Sequence, residues 1–275
     1  MTPPMDRRHS EPSGGPLAEL TVWAVLRAVA TAVRRRPRQV VPFTVAGLVV
    51  GLADWIRTVD PIPMQVPTSF RETVNVQFSL VPMGTSRTVR AVGALVDLRV
   101  PYLLGAVGLE LLVLVAVGAG GYLTLQRALD VETDRTAVLR YGVVLALVGF
   151  LPQWLGTPRV TLSNLLVGLV TVVLFSVLAV RLFLFPGLVV AGQSYRTAFR
   201  QSQRRSYGIG WTVFGLVVVL GLGSWGLAQI PVAGGFLSTA IVAPAHALSL
   251  AVLVRHTGRT TPPAADRQET DTIGR

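Results

Sequence analysis

The chain has 275 residues, 51% apolar and only 14% charged, with a mean hydropathy of +0.56. A soluble domain carries about 25% charged residues, so this composition belongs to the membrane class. Cysteine is absent, which excludes disulfides, iron–sulfur clusters, thiolate metal sites and cysteine nucleophiles. The net charge of +11 rests on 25 arginines and no lysine, a bias we attribute to GC-rich prokaryotic coding. Those arginines flank apolar stretches and do not interleave with aromatic residues. Anionic lipid headgroups are therefore the expected partners, and nucleic acid is not.

Residues 1–16 are polar and rich in Pro and Gly, and read as a disordered tail without a cleavable signal peptide. The helical membrane domain is expected over 17–256. It begins with Leu17–Val33, which carries Glu19 and Arg27 and runs into Arg34, Arg35, Arg36 and Arg38. Charges within a segment this short suggest a helix lying in the interface, with a seventh span as the alternative.

Crossing the hydrocarbon core takes about 20 mainly apolar residues. Six stretches come close, the first of them short and carrying Asp54 near its end: Val40–Ile56, Pro101–Leu125, Ala137–Gly156, Leu162–Phe185, Ile209–Gln229 and Val232–Val254. The expected fold class is thus all-α, a polytopic transmembrane bundle of about six spans. With both termini inside, the inner segments hold 19 arginines and the outer loops six. The positive-inside bias selects that orientation and a cell-membrane location.

The outer loop 57–100 is expected to form a small extracytoplasmic cap on the membrane surface. Val74, Val76, Phe78 and Leu80 alternate with polar residues as in a half-buried strand. Ser86 is placed to cap a short helix with Val89, Val92, Leu95 and Val96 on one stripe. Residues 257–275 read as a second disordered tail. The glycines of the spans, including Gly47 and Gly51 at GxxxG spacing, suit close helix packing.

Two groups of residues are candidates for function. After the fourth span, Ser194 can cap a helix whose Arg196, Arg200 and Arg204 stack four apart, with Arg205 beside them and Arg181 at the end of the span. Such a ladder of like charges suits phosphate or lipid headgroups, or marks topology alone. Within the spans, Glu110 and His246 are expected at similar depth. They could relay protons or bind a cation, or be neutral and packed between helices. Asp54 and Gln153 are expected only to mark the outer interface. His9, His246 and His256 lie far apart in sequence and make no metal motif, and no Walker loop or nucleophile elbow occurs. No cofactor, metal or catalytic residue is expected.

Arg181, Pro186, Ser194, Ala198, Ser202, Gly208 and Trp211 form a pattern that resembles the membrane domain associated with glycerophosphodiester phosphodiesterases and related six-helix prokaryotic families. The resemblance implies a fold, and no phosphodiesterase domain accompanies it. Three functions stay open: a non-enzymatic protein organising lipid or a membrane complex or assisting export, a transporter using Glu110 and His246, and a lipid-modifying enzyme. A membrane-protein partner or a second copy of the chain is compatible with the first.

Overall fold

The computed structural model describes residues 20–64, 73–75, 79–90, 92–95, 98–155, 159–161 and 165–259. Both expected tails, up to Pro16 and from residue 260, lie outside these, as do Val76–Phe78 of the expected strand and Val96 of the expected helix.

The apolar runs become helices. In chain order they are α1 (Val22–Arg35), α2 (Val41–Val59), α3 (Val100–Leu129), α4 (Arg135–Leu155), α5 (Leu165–Leu182), α6 (Phe185–Val190), α7 (Tyr195–Ser206), α8 (Gly210–Ala228), α9 (Gly234–Leu237) and α10 (Ala243–Arg259). A π-helical turn, Ser238–Val242, joins α9 to α10 without a break. Five segments are long and apolar enough to cross a membrane: 41–59, 100–129, 166–190, 210–228 and 234–258. The last is the hub. In its most apolar window 78% of residues are buried, against 11% in α3 and 17% in 166–190. Those two outer helices turn most of their Leu and Val side chains outward, as lipid-facing helices do, because acyl chains are as apolar as leucine.

Small residues bring the helices together. A Cβ on Gly47 or Gly51 of α2 would crowd Phe236 of α9. A Cβ on Gly121 of α3 would collide with the Tyr141 hydroxyl of α4, and one on Gly187 of α6 with Leu250 of α10. The GxxxG spacing therefore serves packing inside one chain.

Helix α1 has 14 residues, a rise of about 21 Å, short of the about 30 Å of a hydrocarbon core. The Thr212 hydroxyl, at the start of α8, donates to the Leu20 carbonyl just before α1. The Thr124 hydroxyl, near the end of α3, donates to the Gln39 carbonyl just after it. Both contacts lie at the same end of the bundle, so α1 runs across that end and does not pierce it. Val25 and Val29 are its buried face. This end also gathers the start of α4, all of α7 and the end of α10, and is rich in arginine.

The segment after α2 departs from the expected surface cap. Residues 79–90 turn into the bundle, where Val81, Thr88 and Arg90 are buried. A Cβ on Gly84 would overlap the backbone of Thr239 in the π-helical turn. Among the described residues of 86–95, where a helix is expected from Ser86, no α-helix forms, and Val92–Leu95 makes a 3-10 turn; the N–H groups of Arg87 and Thr88 are drawn into tertiary bonds instead. Thr73–Asn75 does extend, pairing antiparallel with Arg159–Thr161, Val74 opposite Val160. Helix α10 runs to Arg259, three residues into the expected C-terminal tail.

Candidate functional site

At the arginine-rich end, the chain leaves α5 just after Arg181, turns through Phe183 and Leu184, and packs Pro186 to Val190 of α6 into the core. Pro186 opens α6, where a missing N–H goes unnoticed. Gly192 takes φ +86°, open to a residue without a Cβ. Ser194 then caps α7, its hydroxyl accepting from the Thr197 N–H at 3.4 Å.

One face of α7, Ala198, Ser202 and Ser206, is buried. Ser202 donates to the Arg181 carbonyl at 2.7 Å, and the Arg181 guanidinium lies 5.1 Å from the centre of the Tyr207 ring. Arg181 is thereby a fastening between α5 and α7. Arg196, Arg200 and Arg204 are exposed on the other face. Among the described residues none of the three lies within ion-pair distance of a carboxylate. Arg205 is half-buried, with Gly258 close by, and burial lowers its pKa from the ordinary arginine value. Tyr195 and Phe199, next to that face, stay exposed. With Phe185 they line an open groove of about 320 Å³ beside Arg196 and Arg200. The arrangement is an apolar slot edged by two guanidinium groups.

A second cavity at this end, about 730 Å³, lies at the elbow between α1 and α2. It is lined by Arg35, Arg36, Arg38 and Arg127.

At the opposite end sits an ionic cluster centred on Arg57, which is 3% exposed. Its Nε and one terminal nitrogen donate to the two oxygens of Glu110, at 3.0 and 2.7 Å. The other terminal nitrogen donates to Asp54 at 3.2 Å and to the Thr88 carbonyl at 3.3 Å. Asp54, 4% exposed, also accepts from the N–H groups of Arg87 and Thr88, both at 3.1 Å, and from the Thr88 hydroxyl at 2.6 Å. It abuts Gly235, where a Cβ would collide with the carboxylate. Nearby, Arg90 pairs with Asp60. Burial lowers the pKa of Arg90, Glu110 opposes that shift and Arg57 reinforces it.

Beside this cluster the Thr85 N–H donates to Ser224 and Ser238, at 3.0 and 2.8 Å. Its hydroxyl meets that of Ser224 at 2.8 Å, and Ser224 meets Ser238 at the same distance. Segment 79–90 is thus bolted to α2, α8 and the π-helical turn by buried polar contacts. Val232, at φ +66°, is a β-branched residue in the left-handed region, a strained position in the turn that leads into α9.

Glu110 and His246 do not share a level. Glu110 is joined through Arg57 to Asp54, which abuts Gly235, and the helical path from Gly235 to His246 rises about 15 Å. His246 is 3% exposed and stacks on Phe183, ring centres 5.1 Å apart, beside the arginine-rich end. Neither residue lines the two cavities above, nor a third of about 360 Å³ beside Asp60, Arg90 and Tyr102. Asp54, expected only to mark the outer interface, is a buried member of this network. Arg57, the first residue of the expected outer loop 57–100, is buried in α2. The side chain of Gln153 lies outside the described residues. Among the described residues, no three His, Asp or Glu side chains come together as metal ligands.

No protein-family model matches the chain, and neither does any curated protein or solved structure.

Proposed function

We propose that the chain is a six-span, non-enzymatic membrane protein that organises anionic lipid, held at α7, with both termini cytoplasmic. The observation that carries this reading is the pairing on α7 of an exposed Arg196–Arg200–Arg204 row with the ring-lined groove of Phe185, Tyr195 and Phe199. Like charges four residues apart repel. A layer of phosphates against them removes that cost, at about 1 kcal/mol per arginine near an anionic surface. The groove takes the upper part of an acyl chain below such a headgroup.

The sixth crossing is α4. Its 21 residues rise about 31 Å, enough for the hydrocarbon core. It starts beside α7, where the Tyr195 hydroxyl donates to the Arg140 carbonyl, and leads to the ribbon at Arg159–Thr161, which pairs with the segment after α2. The excess of arginine at the α7 end makes that end cytoplasmic. Transport through Glu110 and His246 lacks comparable support, since neither residue lines any of the three cavities.

The test is native mass spectrometry of wild type and R196Q/R200Q/R204Q released from membranes of phosphatidylglycerol and phosphatidylethanolamine. The wild type is expected to retain phosphatidylglycerol and the variant to lose it. Equal retention by the two proteins contradicts the reading.

A further inference from the structure

We infer that the elbow between α1 and α2 is a second anion site, shaped for a phosphate group and separate from the α7 groove. Arg35, Arg36, Arg38 and Arg127 reach one open cavity of about 730 Å³, and Asp130 is the only carboxylate among its lining residues. That volume lies within the about 300–1,000 Å³ range of small-ligand pockets.

The backbone of the elbow removes its acceptors from the cavity. The Arg36 carbonyl accepts from the Gln39 N–H and that of Pro37 from the Val40 N–H, both at 3.0 Å. The Arg38 carbonyl accepts from Arg127 at 3.3 Å, and that of Gln39 from the Thr124 hydroxyl at 3.1 Å. Every carbonyl from Arg36 to Gln39 is thus taken inside the fold, and the polar lining left over is mainly guanidinium donors. These bonds also fix the turn to α3, so the arginines start from a rigid base. Planar guanidinium forks match the oxygens of a phosphate in pairs. Without an anion, four such cations face one carboxylate and repel one another.

Arg34 separates this site from simple topology. It belongs to the same run and is exposed, yet does not line the cavity. A positive-inside signal counts Arg34 and Arg35 alike, whereas a phosphate site does not.

The ligand is either a lipid headgroup or a soluble phosphate, and two measurements on the full chain distinguish them. Calorimetric titration with inorganic pyrophosphate in neutral detergent reads the soluble source. Phosphatidylglycerol retention by native mass spectrometry reads the lipid source. The proteins are wild type, R35Q/R38Q, R36Q, R34Q and R196Q/R200Q/R204Q. R35Q/R38Q is expected to weaken one of the two modes about tenfold or more, with R36Q following it more weakly and R34Q matching wild type. The α7 variant keeps this site even if it loses lipid elsewhere, so failure of the groove reading and of this one are told apart. The inference is overturned if R34Q weakens binding as much as R35Q/R38Q, or if both R35Q/R38Q and R36Q leave both modes unchanged.

Discussion

Replacing Arg57 by glutamine removes the cation shared by two carboxylates of unequal burial, and the size of the loss follows from that inequality. Asp54 is 4% exposed and keeps three donors after the change, the Arg87 N–H, the Thr88 N–H and the Thr88 hydroxyl. It loses its counter-charge, and stripping one partner from a buried pair costs about 3–5 kcal/mol. The Glu110 side chain is 38% exposed. It lies about 28 Å of helix rise from the arginine-rich end of α3, near the outer edge of a core about 30 Å thick. Its share of the ion pair is therefore screened and is worth about 0–1 kcal/mol. R57Q is therefore expected to lose about 3–5 kcal/mol and E110Q at most about 1 kcal/mol. D54N/R57Q, which removes the stranded charge together with its partner, should recover a large part of the loss. Equilibrium unfolding in mixed micelles by dodecyl sulfate titration, followed by helical circular dichroism, measures all three. The reasoning fails if R57Q lies within 1 kcal/mol of wild type, or if E110Q costs as much as R57Q.

Other expectations use the same titration. G235A sets a Cβ against the Asp54 carboxylate and G84A one against the Thr239 backbone, so each should lose about 1–3 kcal/mol. At Gly93 a Cβ meets open space, and G93A should match wild type. T85V keeps the main-chain bonds and removes one of the three hydrogen bonds of the Ser224 hydroxyl, at a cost of about 0.5–1.5 kcal/mol. The Asp134 carboxyl is held below its ordinary pKa first by the Thr136 backbone N–H at the start of α4. Its stabilisation is therefore present above the ordinary carboxylate range and is lost as pH falls through the lowered value. Melting temperatures of D134N and wild type should differ at neutral pH and converge in acid; a gap that stays constant throughout contradicts this.

What was legible in the sequence was local. Ser194 and the periodicity after it define α7 almost to the residue, because an N-cap and a helical face are set within a few positions. The apolar runs likewise locate the helices to within a few residues at most ends. What stayed hidden depends on contacts between distant segments. The alternation through Val74 to Leu80 and the Ser86 cap describe a segment judged by its own preferences. Its course is set by Asp54 and Ser238, which take the N–H groups of Thr85, Arg87 and Thr88 that a helix would have used. Asp54 and Arg57 did carry a signal, an acid and a base three apart on an apolar helix. It is obscured because the apolar run ends at Ile56, one residue before Arg57. A count from the start of each apolar run sets Glu110 and His246 level. That count misleads because α3 is 30 residues long and extends beyond the core, while α10 is preceded by α9 and a π-helical turn.

The claim that α7 holds anionic lipid is tested most directly by light-induced crosslinking from phosphatidylglycerol with a photoreactive group high on its acyl chain. The crosslinked residues are read by peptide mass spectrometry. The account predicts adducts concentrated at Phe185, Tyr195 and Phe199 and lost in R196Q/R200Q/R204Q. Adducts confined to the outward leucines and valines of α3 and α5, or unchanged by removing the arginines, would contradict it.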